Sequence, residues 1–185
     1  MGSTENPSDS SGVPLLLVLA GEDHPKACTG RRLVRSGLVR EVAAGRPLRH
    51  RPILLDPRDE RPLCAADRSL ARRVGVLGVD CSWNRLNARG GYPTFGGWID
   101  RLAVRRRLPF LLAGNPQHFG RVGELNTAEA FAAALSVLGE ATRARDLLAS
   151  FPGGEAFFSL NREPLGSYAR ATDANDVRAA EREYF

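Results

Sequence analysis

The most constraining feature of this sequence is a short apolar run that ends in polar and aromatic residues. The run Val74–Val79 contains only valine, glycine and leucine, and Asp80, Cys81, Ser82 and Trp83 follow it directly. A run of this length is typical of a fully buried strand and is too short for a helix of the same hydrophobicity. Because ligands in open α/β sheets bind just beyond the carboxyl ends of the strands, we predict that Asp80 and Trp83 lie at a functional site.

Further apolar runs predict the other strands of a sheet. They are Leu15–Ala20, Pro52–Leu55 and Leu108–Ala113, and each ends at a turn. Apolar spacing and capping residues predict helices around them. The predicted helices are Arg31–Arg46, Ala65–Arg73, Trp98–Arg106, Asn126–Leu138, Ala141–Phe151, Phe157–Ala171 with a break at Pro164, and Asp173–Tyr184. Strands that alternate with helices favour a parallel sheet with crossover helices.

The order of these segments also predicts how the chain is divided. Residues 1–12 are rich in small and polar residues, so we expect a disordered tail there. An N-terminal α/β domain is expected over residues 13–107. A mainly helical C-terminal domain is expected over residues 108–185, because no further strand pattern follows Ala113.

The charge of the chain favours an anionic partner. Its formal net charge is +5, and among 26 basic residues only Lys26 is a lysine. Arginine suits phosphate because its guanidinium group is bidentate and permanently charged, although a genome that favours arginine codons would give the same excess. Two groups of arginines are candidate phosphate contacts. For the group on the earlier helix, a solvated helix face is an equally good interpretation. The two groups are Arg31, Arg32 and Arg35 on one predicted helix, and Arg105, Arg106 and Arg107 at the end of another.

Cysteine and histidine residues exclude several classes of site. The three cysteines show no Cys-x-x-Cys spacing and are too few for a disulfide framework, which indicates a reducing compartment. The histidines are scattered, so we predict no metal site. Cys81 fits a small buried residue better than a nucleophile. No apolar run approaches the roughly 20 residues that a membrane-spanning helix needs.

Three predicted strand ends carry residues that could form a pocket. These ends are Asp56-Pro57, Asp80-Cys81-Ser82-Trp83 and Gly114-Asn115-Pro116. If the strands are parallel neighbours, the three ends meet at one edge, near Thr29 and Thr127. The chain has neither a GxGxxG motif after the first strand nor a Walker loop, so common nucleotide cradles are absent. The pattern alone therefore predicts a basic α/β ligand-binding protein without specifying a reaction.

Seven segments carry a resemblance to a known family. In chain order they are CTGRRLVRSGLVR, LLDP, AADRSL, GVDCSW, LPFLLAGNPQHFG, LNTAEAFAAAL and FPGGEAFFSLN. Over about residues 22–170 the sequence resembles the ribosome-biogenesis aminocarboxypropyltransferases that modify small-subunit ribosomal RNA. The short length is similar to that of archaeal members.

The resemblance implies a fold and an activity. The fold would be SPOUT-like, with a trefoil knot and an all-helical C-terminal half. The enzyme would transfer the 3-amino-3-carboxypropyl group of S-adenosylmethionine to the imide nitrogen of a uridine or (N1-methyl)pseudouridine. By the same resemblance, that base would lie in a hairpin loop of the small-subunit rRNA, and the by-product would be 5′-methylthioadenosine. The resemblance also implies a cytoplasmic monomer that acts on rRNA or on a pre-ribosomal subunit.

Site residues follow from the same resemblance, position by position. It implies that Thr29 and the backbone at Leu108 contact the cofactor ribose, and that Leu55 and Pro57 lie near the adenine. Trp83 would pack against apolar parts of the cofactor, for which simple core packing is an alternative. Thr127 would receive the methionine carboxylate at a helix start, a place that favours anions, or would only cap that helix.

Asp80 is the candidate catalytic residue. The family has an acidic residue facing the reactive centre at this position, where it could assist deprotonation of the imide. Binding of the cofactor's ammonium group and a purely structural turn are the alternatives.

Two other functions are consistent with the sequence. A SPOUT-type RNA methyltransferase would use the same pocket but present the methyl group. A non-catalytic, RNA-binding ribosome-assembly factor would use the arginines and have no cofactor pocket. The reaction product distinguishes the methyltransferase from an aminocarboxypropyltransferase. Binding of S-adenosylmethionine distinguishes both enzymes from the assembly factor.

Overall fold

A five-stranded parallel sheet forms the centre of the protein. The computed structural model describes residues 12–20, 28–81, 97–102 and 104–185. The strand order is β2-β1-β4-β3-β5. The strands are β1 (Leu15–Leu19), β2 (Arg40–Glu41), β3 (Ile53–Leu55), β4 (Val76–Asp80) and β5 (Val104–Arg106).

Helices surround this sheet and make up the regular structure from Thr127 onward in the described residues. A 3-10 turn over Ala65–Asp67 leads into the second helix. The helices are α1 (Thr29–Arg35), α2 (Arg68–Val74), α3 (Trp98–Leu102), α4 (Thr127–Val137), α5 (Ala141–Leu148), α6 (Gly154–Leu160), α7 (Arg162–Arg170) and α8 (Ala174–Tyr184).

The central strand β4 explains the apolar run that predicted it. All five of its residues are buried, and it pairs with β1 on one side and β3 on the other. A side chain at Gly78 would place its Cβ only 2.9 Å from Cζ of Phe131, so glycine lets α4 pack directly on the strand. The carboxyl end of β4 therefore lies beside the start of α4.

Alternating side chains of the strands fill two apolar layers. On one face Leu15 and Leu17 join the large core with α4, and on the other Leu16 and Val18 pack with Trp98 of α3. This period of two is the pattern expected for strands buried on both faces. Apolar layers thus cover both faces of the sheet, which leaves its carboxyl edge as the position where a site can form.

The predicted strand Leu108–Ala113 is wrong. Strand β5 lies earlier, inside the predicted helix Trp98–Arg106, while Leu112 makes only an isolated antiparallel bridge to Val122. Pro109 cannot donate a ladder hydrogen bond, which explains why this apolar segment stays outside the sheet. Ion pairs rather than apolar side chains hold β5, so hydrophobicity could not reveal it.

The predicted helix Arg31–Arg46 is also too long. Helix α1 ends at Arg35 because Gly37 adopts a left-handed conformation, with φ of 72°. The amide of Leu38 donates to the carbonyl of Leu33, and that of Gly37 donates to Val34, which is the Schellman arrangement. The freed chain continues as the short strand β2.

The predicted helix break at Pro164 lies instead at Asn161. Helices α6 and α7 meet there, and Pro164 occupies the first turn of α7, where its missing N–H is not needed. The buried amide of Asn161 donates to the carbonyl of Leu112 and accepts from its N–H, at 2.8 Å each. The break therefore holds the 108–113 segment in place.

The remaining sequence predictions for strands β1, β3 and β4 and helices α2, α4, α5 and α8 agree with the structure to within a few residues. The predicted disordered tail lies almost entirely outside the described residues. The domain boundary at residue 107 stays a prediction. Among the described residues, no helix combines the length and apolarity needed to cross a bilayer.

Candidate cofactor pocket and active site

A cavity of about 300 Å³ opens at the carboxyl edge of the sheet. Three of the residues that the sequence predicts to bind cofactor line it together: Leu55, Pro57 and Leu108. The wall is mainly apolar and is completed by the 122–125 segment and by Ala130 of α4. Its size and apolar lining are typical of a small-molecule site.

The pairing of β3 with β5 brings these three residues together. Leu55 is the register partner of Arg106, and the amide of Asp56 donates to the carbonyl of Arg106 at 2.9 Å. Because the two strands are parallel, Pro57 and Leu108 follow them side by side beyond the same edge. Leu108 thus reaches the pocket although it lies after a strand and not at the start of one.

Asp80 lies at the end of β4, the strand that pairs with β3, and so at the same edge of the sheet as this cavity. Its side chain is only 8% exposed. The hydroxyl of Thr127 donates to Oδ1 of Asp80, and the thiol of Cys28 donates to Oδ2 at 2.8 Å. One carboxylate therefore joins the end of β4 to the starts of α1 and α4. We call Cys28, Asp80 and Thr127 the Asp80 cluster.

A glycine allows α1 to come this close to Asp80. A Cβ atom at Gly30 would lie 2.6 Å from Cγ of Asp80, a distance that real contacts do not reach. Thr29 is half-buried between Cys28 and Gly30, at the first position of α1. The structure therefore brings the starts of α1 and α4, which carry the predicted residues Thr29 and Thr127, to the carboxylate of Asp80.

Cys28 belongs to the site although the sequence did not single it out. Burial, and after it the hydrogen bond to Asp80, raises the pKa of Cys28 to about 11. The thiol is therefore protonated at neutral pH and acts as a hydrogen-bond donor rather than a nucleophile. The only available sequence signal is its place directly before the helix that contains Thr29.

Glu129 is a second residue that the sequence did not single out. It is 1% exposed, and burial raises the pKa of its carboxyl group against the opposing effect of its hydrogen bonds. Oε1 accepts from the amide of Gly114 at 2.8 Å, and Oε2 accepts from Nδ2 of Asn115 at 2.7 Å and from the amide of Asn126 at 2.9 Å. Asn126 in turn caps α4, and its spacing from Glu129 is the capping-box signal.

Glu129 brings the third polar segment to the site. Gly114 and Asn115 were expected to follow a parallel strand, and they instead follow an extended segment outside the sheet. The first turn of α4 nevertheless holds them beside the Asp80 cluster, since Thr127 and Glu129 lie in that same turn. The expected convergence therefore occurs through a helix start and not through three adjacent strands.

The cluster Arg105–Arg107 is engaged inside the protein. Arg105 pairs with Asp56, and Arg107 pairs with Glu181. Arg106 is 8% exposed and makes a bidentate contact to Asp67, with Nη2 2.9 Å from Oδ1. This geometry disfavours the predicted phosphate contacts, and most strongly that of Arg106.

The arginines of α1 divide into two kinds. Arg32 donates to the carbonyl of Ser150 and lies over the ring of Phe151, at 4.7 Å from its centroid. Arg31 and Arg35 are exposed. Those two remain the best placed of the predicted arginines for a phosphate.

Two further sequence predictions concern a tryptophan and metals. Trp83 lies outside the described residues. Among the residues that the structure does describe, no group of three potential ligand side chains could hold a metal ion.

Family profiles match most of the chain. A profile described as "Ribosome biogenesis protein, C-terminal" matches residues 53–185. Residues 13–47 match a profile described as "Possible Fer4-like domain in RNase L inhibitor, RLI". That segment contains a single cysteine, Cys28, whereas an iron–sulfur cluster needs four ligands, typically cysteines.

The names of several similar proteins state an rRNA-modifying activity. The chain is 40% identical to the 16S rRNA aminocarboxypropyltransferase of Methanosarcina acetivorans, over 93% of this chain and 94% of that protein. It is 35% identical to the 18S rRNA aminocarboxypropyltransferase of Schizosaccharomyces pombe, over 97% of this chain and 59% of that protein. The solved SAM-dependent rRNA:acp-transferase Tsr3 from Vulcanisaeta distributa superposes with a TM-score of 0.78 and 30% identity, covering 92% of this chain and 97% of that one.

The protein has a parallel α/β fold whose carboxyl edge carries an apolar cavity and a buried carboxylate. These features define the class of α/β enzymes that bind a small-molecule ligand. Within that class, the chain belongs to the rRNA aminocarboxypropyltransferase family. The resemblance found in the sequence is thereby confirmed.

Proposed function

We propose that this chain transfers the 3-amino-3-carboxypropyl group of S-adenosylmethionine to the imide nitrogen of a uridine-derived base in small-subunit rRNA. The ring nitrogen forms a bond to the terminal carbon of that group. The bond from this carbon to the sulfonium sulfur breaks, its electron pair stays on sulfur, and 5′-methylthioadenosine leaves. The imide proton is lost in the process.

The observation that carries this proposal is the position of the apolar cavity beside the Asp80 cluster. Ala130 lines the cavity, and Thr127 lies one turn earlier on the same side of α4. The adenosine part of the cofactor fits the apolar wall at Leu55, Pro57 and Leu108. Its amino-acid part would then reach the start of α4.

The Asp80 cluster has the charges that an amino-acid group requires. A helix start attracts a carboxylate, and the side chain of Asp80 attracts an ammonium group. These two features lie side by side because Thr127 donates directly to Asp80. Each carboxylate oxygen keeps a second lone pair, so an ammonium group can be added without displacing Thr127 or Cys28.

This arrangement favours cofactor binding over general-base catalysis as the first role of Asp80. Both of its oxygens already accept hydrogen bonds from protein groups. A general base would have to contact the reacting base of a large RNA, which the 8% exposure of Asp80 disfavours, whereas the amino-acid part of a small cofactor at the start of α4 can approach it. The two roles predict different kinetics, namely a loss of cofactor affinity in the first case and a loss of turnover in the second.

Orientation of the cofactor would decide which carbon reacts. All three carbons on the sulfonium sulfur are electrophilic, so transfer of the longer group requires that its carbon faces the RNA. We assign to Trp83 the role of covering the methyl group. Contact of Arg31 and Arg35 with RNA phosphates would hold the substrate hairpin.

The finer features of the family complete this proposal. We infer a SPOUT-like trefoil knot. The supporting observations are that all strand pairs in the sheet are parallel and that the strand order, β2-β1-β4-β3-β5, is non-sequential. We also infer that the substrate is rRNA or a pre-ribosomal subunit, in line with the family profile's description. A monomeric state and a cytoplasmic location are part of the same proposal and follow only from the resemblance.

The test is a product analysis. Small-subunit RNA is incubated with the protein and S-adenosylmethionine labelled in the carboxypropyl group, and both the RNA and the small molecule are analysed by mass spectrometry. We expect labelled RNA and 5′-methylthioadenosine. S-adenosylhomocysteine with methylated RNA would identify a methyltransferase instead. Absence of cofactor binding in a calorimetric titration would identify a non-catalytic assembly factor.

A further inference from the structure

Exposed apolar side chains are concentrated beside the cavity. Among the described residues, the large apolar side chains that stay exposed are Phe110, Phe119, Val122 and Phe185. Three of these four lie on the single segment 110–122, and two of them, Phe110 and Val122, line the cavity. Phe119 is the most exposed of all, at 60%.

The loop that carries Phe119 is held firmly in place. Its two arms are joined by hydrogen bonds from Ala113 to the carbonyl of Arg121 at 2.9 Å, and from Gly120 to the carbonyl of Ala113 at 2.8 Å. The side chain of Asn115 accepts from the amide of His118 at 3.0 Å and is itself fixed by Glu129. The exposure of Phe119 is therefore a property of an ordered loop.

The chemistry around Phe119 matches a nucleotide. An exposed ring offers a face on which a base can stack, and stacking is the usual way in which proteins bind unpaired bases. The guanidinium group of Arg121, two residues away, pairs with Glu124 at 3.3 Å but is 64% exposed, and because a surface ion pair of this kind contributes little, the group can meet a phosphate. The loop neighbours of Phe119 are mainly polar or charged, namely Gln117, His118 and Arg121, which suits a nucleotide better than an apolar protein partner.

We propose that Phe119 is a substrate-positioning residue that stacks on an unpaired base of the RNA hairpin loop, next to the cofactor cavity. This inference rests on the proposed function, because it assumes that the bound macromolecule is RNA. It adds a specific contact that places the target nucleotide near the donor. The hydrogen bonds from Glu129 through Asn115 fix this contact relative to α4 and the Asp80 cluster.

The experiment compares three substitutions at one position. Binding of a fluorescent RNA hairpin with the sequence of the small-subunit target loop is measured for Phe119→Ala, Phe119→Leu and Phe119→Trp. Leucine keeps an apolar side chain but no ring, and tryptophan keeps a larger ring. We expect Kd to rise about 5- to 100-fold for both alanine and leucine and to stay near the wild-type value for tryptophan.

A second RNA localises the contact. Abasic nucleotides are placed one at a time in the hairpin loop, and at the stacked position Phe119→Ala should cause no additional loss. With saturating RNA, turnover of Phe119→Ala should return toward the wild-type value, while KM for RNA stays raised.

Two results would overturn the inference. One is wild-type RNA affinity in Phe119→Ala, and the other is wild-type affinity in Phe119→Leu, which would show that no ring is required. Calorimetry with S-adenosylmethionine separates this failure from that of the proposed function. If cofactor binding is intact while RNA affinity is insensitive to Phe119, only the stacking inference fails.

Discussion

The hydroxyl of Thr127 donates a hydrogen bond to the carboxylate of Asp80, which ties the first residue of α4 to the last residue of β4. The contact joins a helix start to a carboxylate across 47 positions of sequence. It gives the candidate site one group that favours an anion and one that favours a cation. The following predictions test what this pair and its neighbours do.

Replacement of Asp80 distinguishes cofactor binding from general-base catalysis. Asp80→Asn keeps the shape of the side chain but removes its charge, so an ammonium group loses its charged partner. We expect Kd for S-adenosylmethionine, measured by calorimetry, to rise about 10- to 100-fold. Turnover at saturating cofactor should remain measurable.

Matched substitutions at Thr127 control for the geometry. Thr127→Ser retains the donor to Asp80 and should bind cofactor normally, whereas Thr127→Val should weaken binding. If Asp80→Asn binds cofactor as tightly as wild type but shows almost no turnover, Asp80 acts as the base instead.

The thiol of Cys28 should make stability depend on pH in the alkaline range. Its pKa is about 11 in the folded protein, against 9.0 for an ordinary cysteine. Between these values the unfolded chain loses the proton while the folded protein keeps it, so the free energy of unfolding decreases as pH rises. The Tm of the wild type is compared with that of Cys28→Ser by thermal unfolding. The Tm of the wild type minus that of the variant should decrease from pH 9 to pH 11. A constant difference in Tm over this range would contradict the buried, protonated thiol.

Glu129 should be essential for the stability of the loop that borders the cavity. In Glu129→Gln the new amide would face the donors of Asn115 and Asn126, which leaves buried donors without an acceptor. We expect a loss of about 2–3 kcal/mol in the free energy of unfolding, measured with denaturant. Glu155→Gln is the matched control, since Glu155 is exposed in the first turn of α6. An unchanged stability of Glu129→Gln would show that water can replace the carboxylate.

The buried strands were predictable because their signal is local. The run ending at Val79 and the run ending at Leu55 are apolar on both faces of the sheet, so composition alone marks them. Strand β5 gives no such signal, because two of its three side chains are arginines that pair with acidic residues distant in sequence. Conversely, Leu111 and Ala113 are buried and apolar, but their segment packs outside the sheet.

The candidate site was predictable only in part. The resemblance implied Leu55, Pro57 and Leu108, and the structure brings them to one cavity, while their contact with a cofactor stays a prediction. The roles of Cys28 and Glu129 depend on partners 52 and 14 to 15 residues away, and no local pattern encodes those distances. The same limit applies to the arginines, whose number is visible in the sequence but whose partners are not.

Arg106 should contribute to stability and not to RNA binding. Arg106→Ala would leave the buried carboxylate of Asp67 without its partner. We expect a loss of about 3–5 kcal/mol in the free energy of unfolding. If the variant does not fold at all, Arg106→Lys, which keeps the charge but loses the bidentate contact, should show a smaller loss. A stable Arg106→Ala protein with weakened RNA binding would restore the original prediction of a phosphate contact.

Arg31 and Arg35 should behave in the opposite way. They are exposed on α1, so the double variant Arg31→Ala/Arg35→Ala should unfold at the wild-type temperature. If each guanidinium group meets one phosphate, RNA affinity falls and the slope of log K against log salt becomes shallower by about 1.4, since each contact with single-stranded RNA contributes roughly 0.7. The affinity for the target hairpin is measured by fluorescence anisotropy at several salt concentrations, with the double variant Arg162→Ala/Arg170→Ala, exposed at the two ends of α7, as the charge-matched control. An unchanged slope in the double variant would place the RNA on another surface, because loss of a phosphate contact must reduce the number of counterions released.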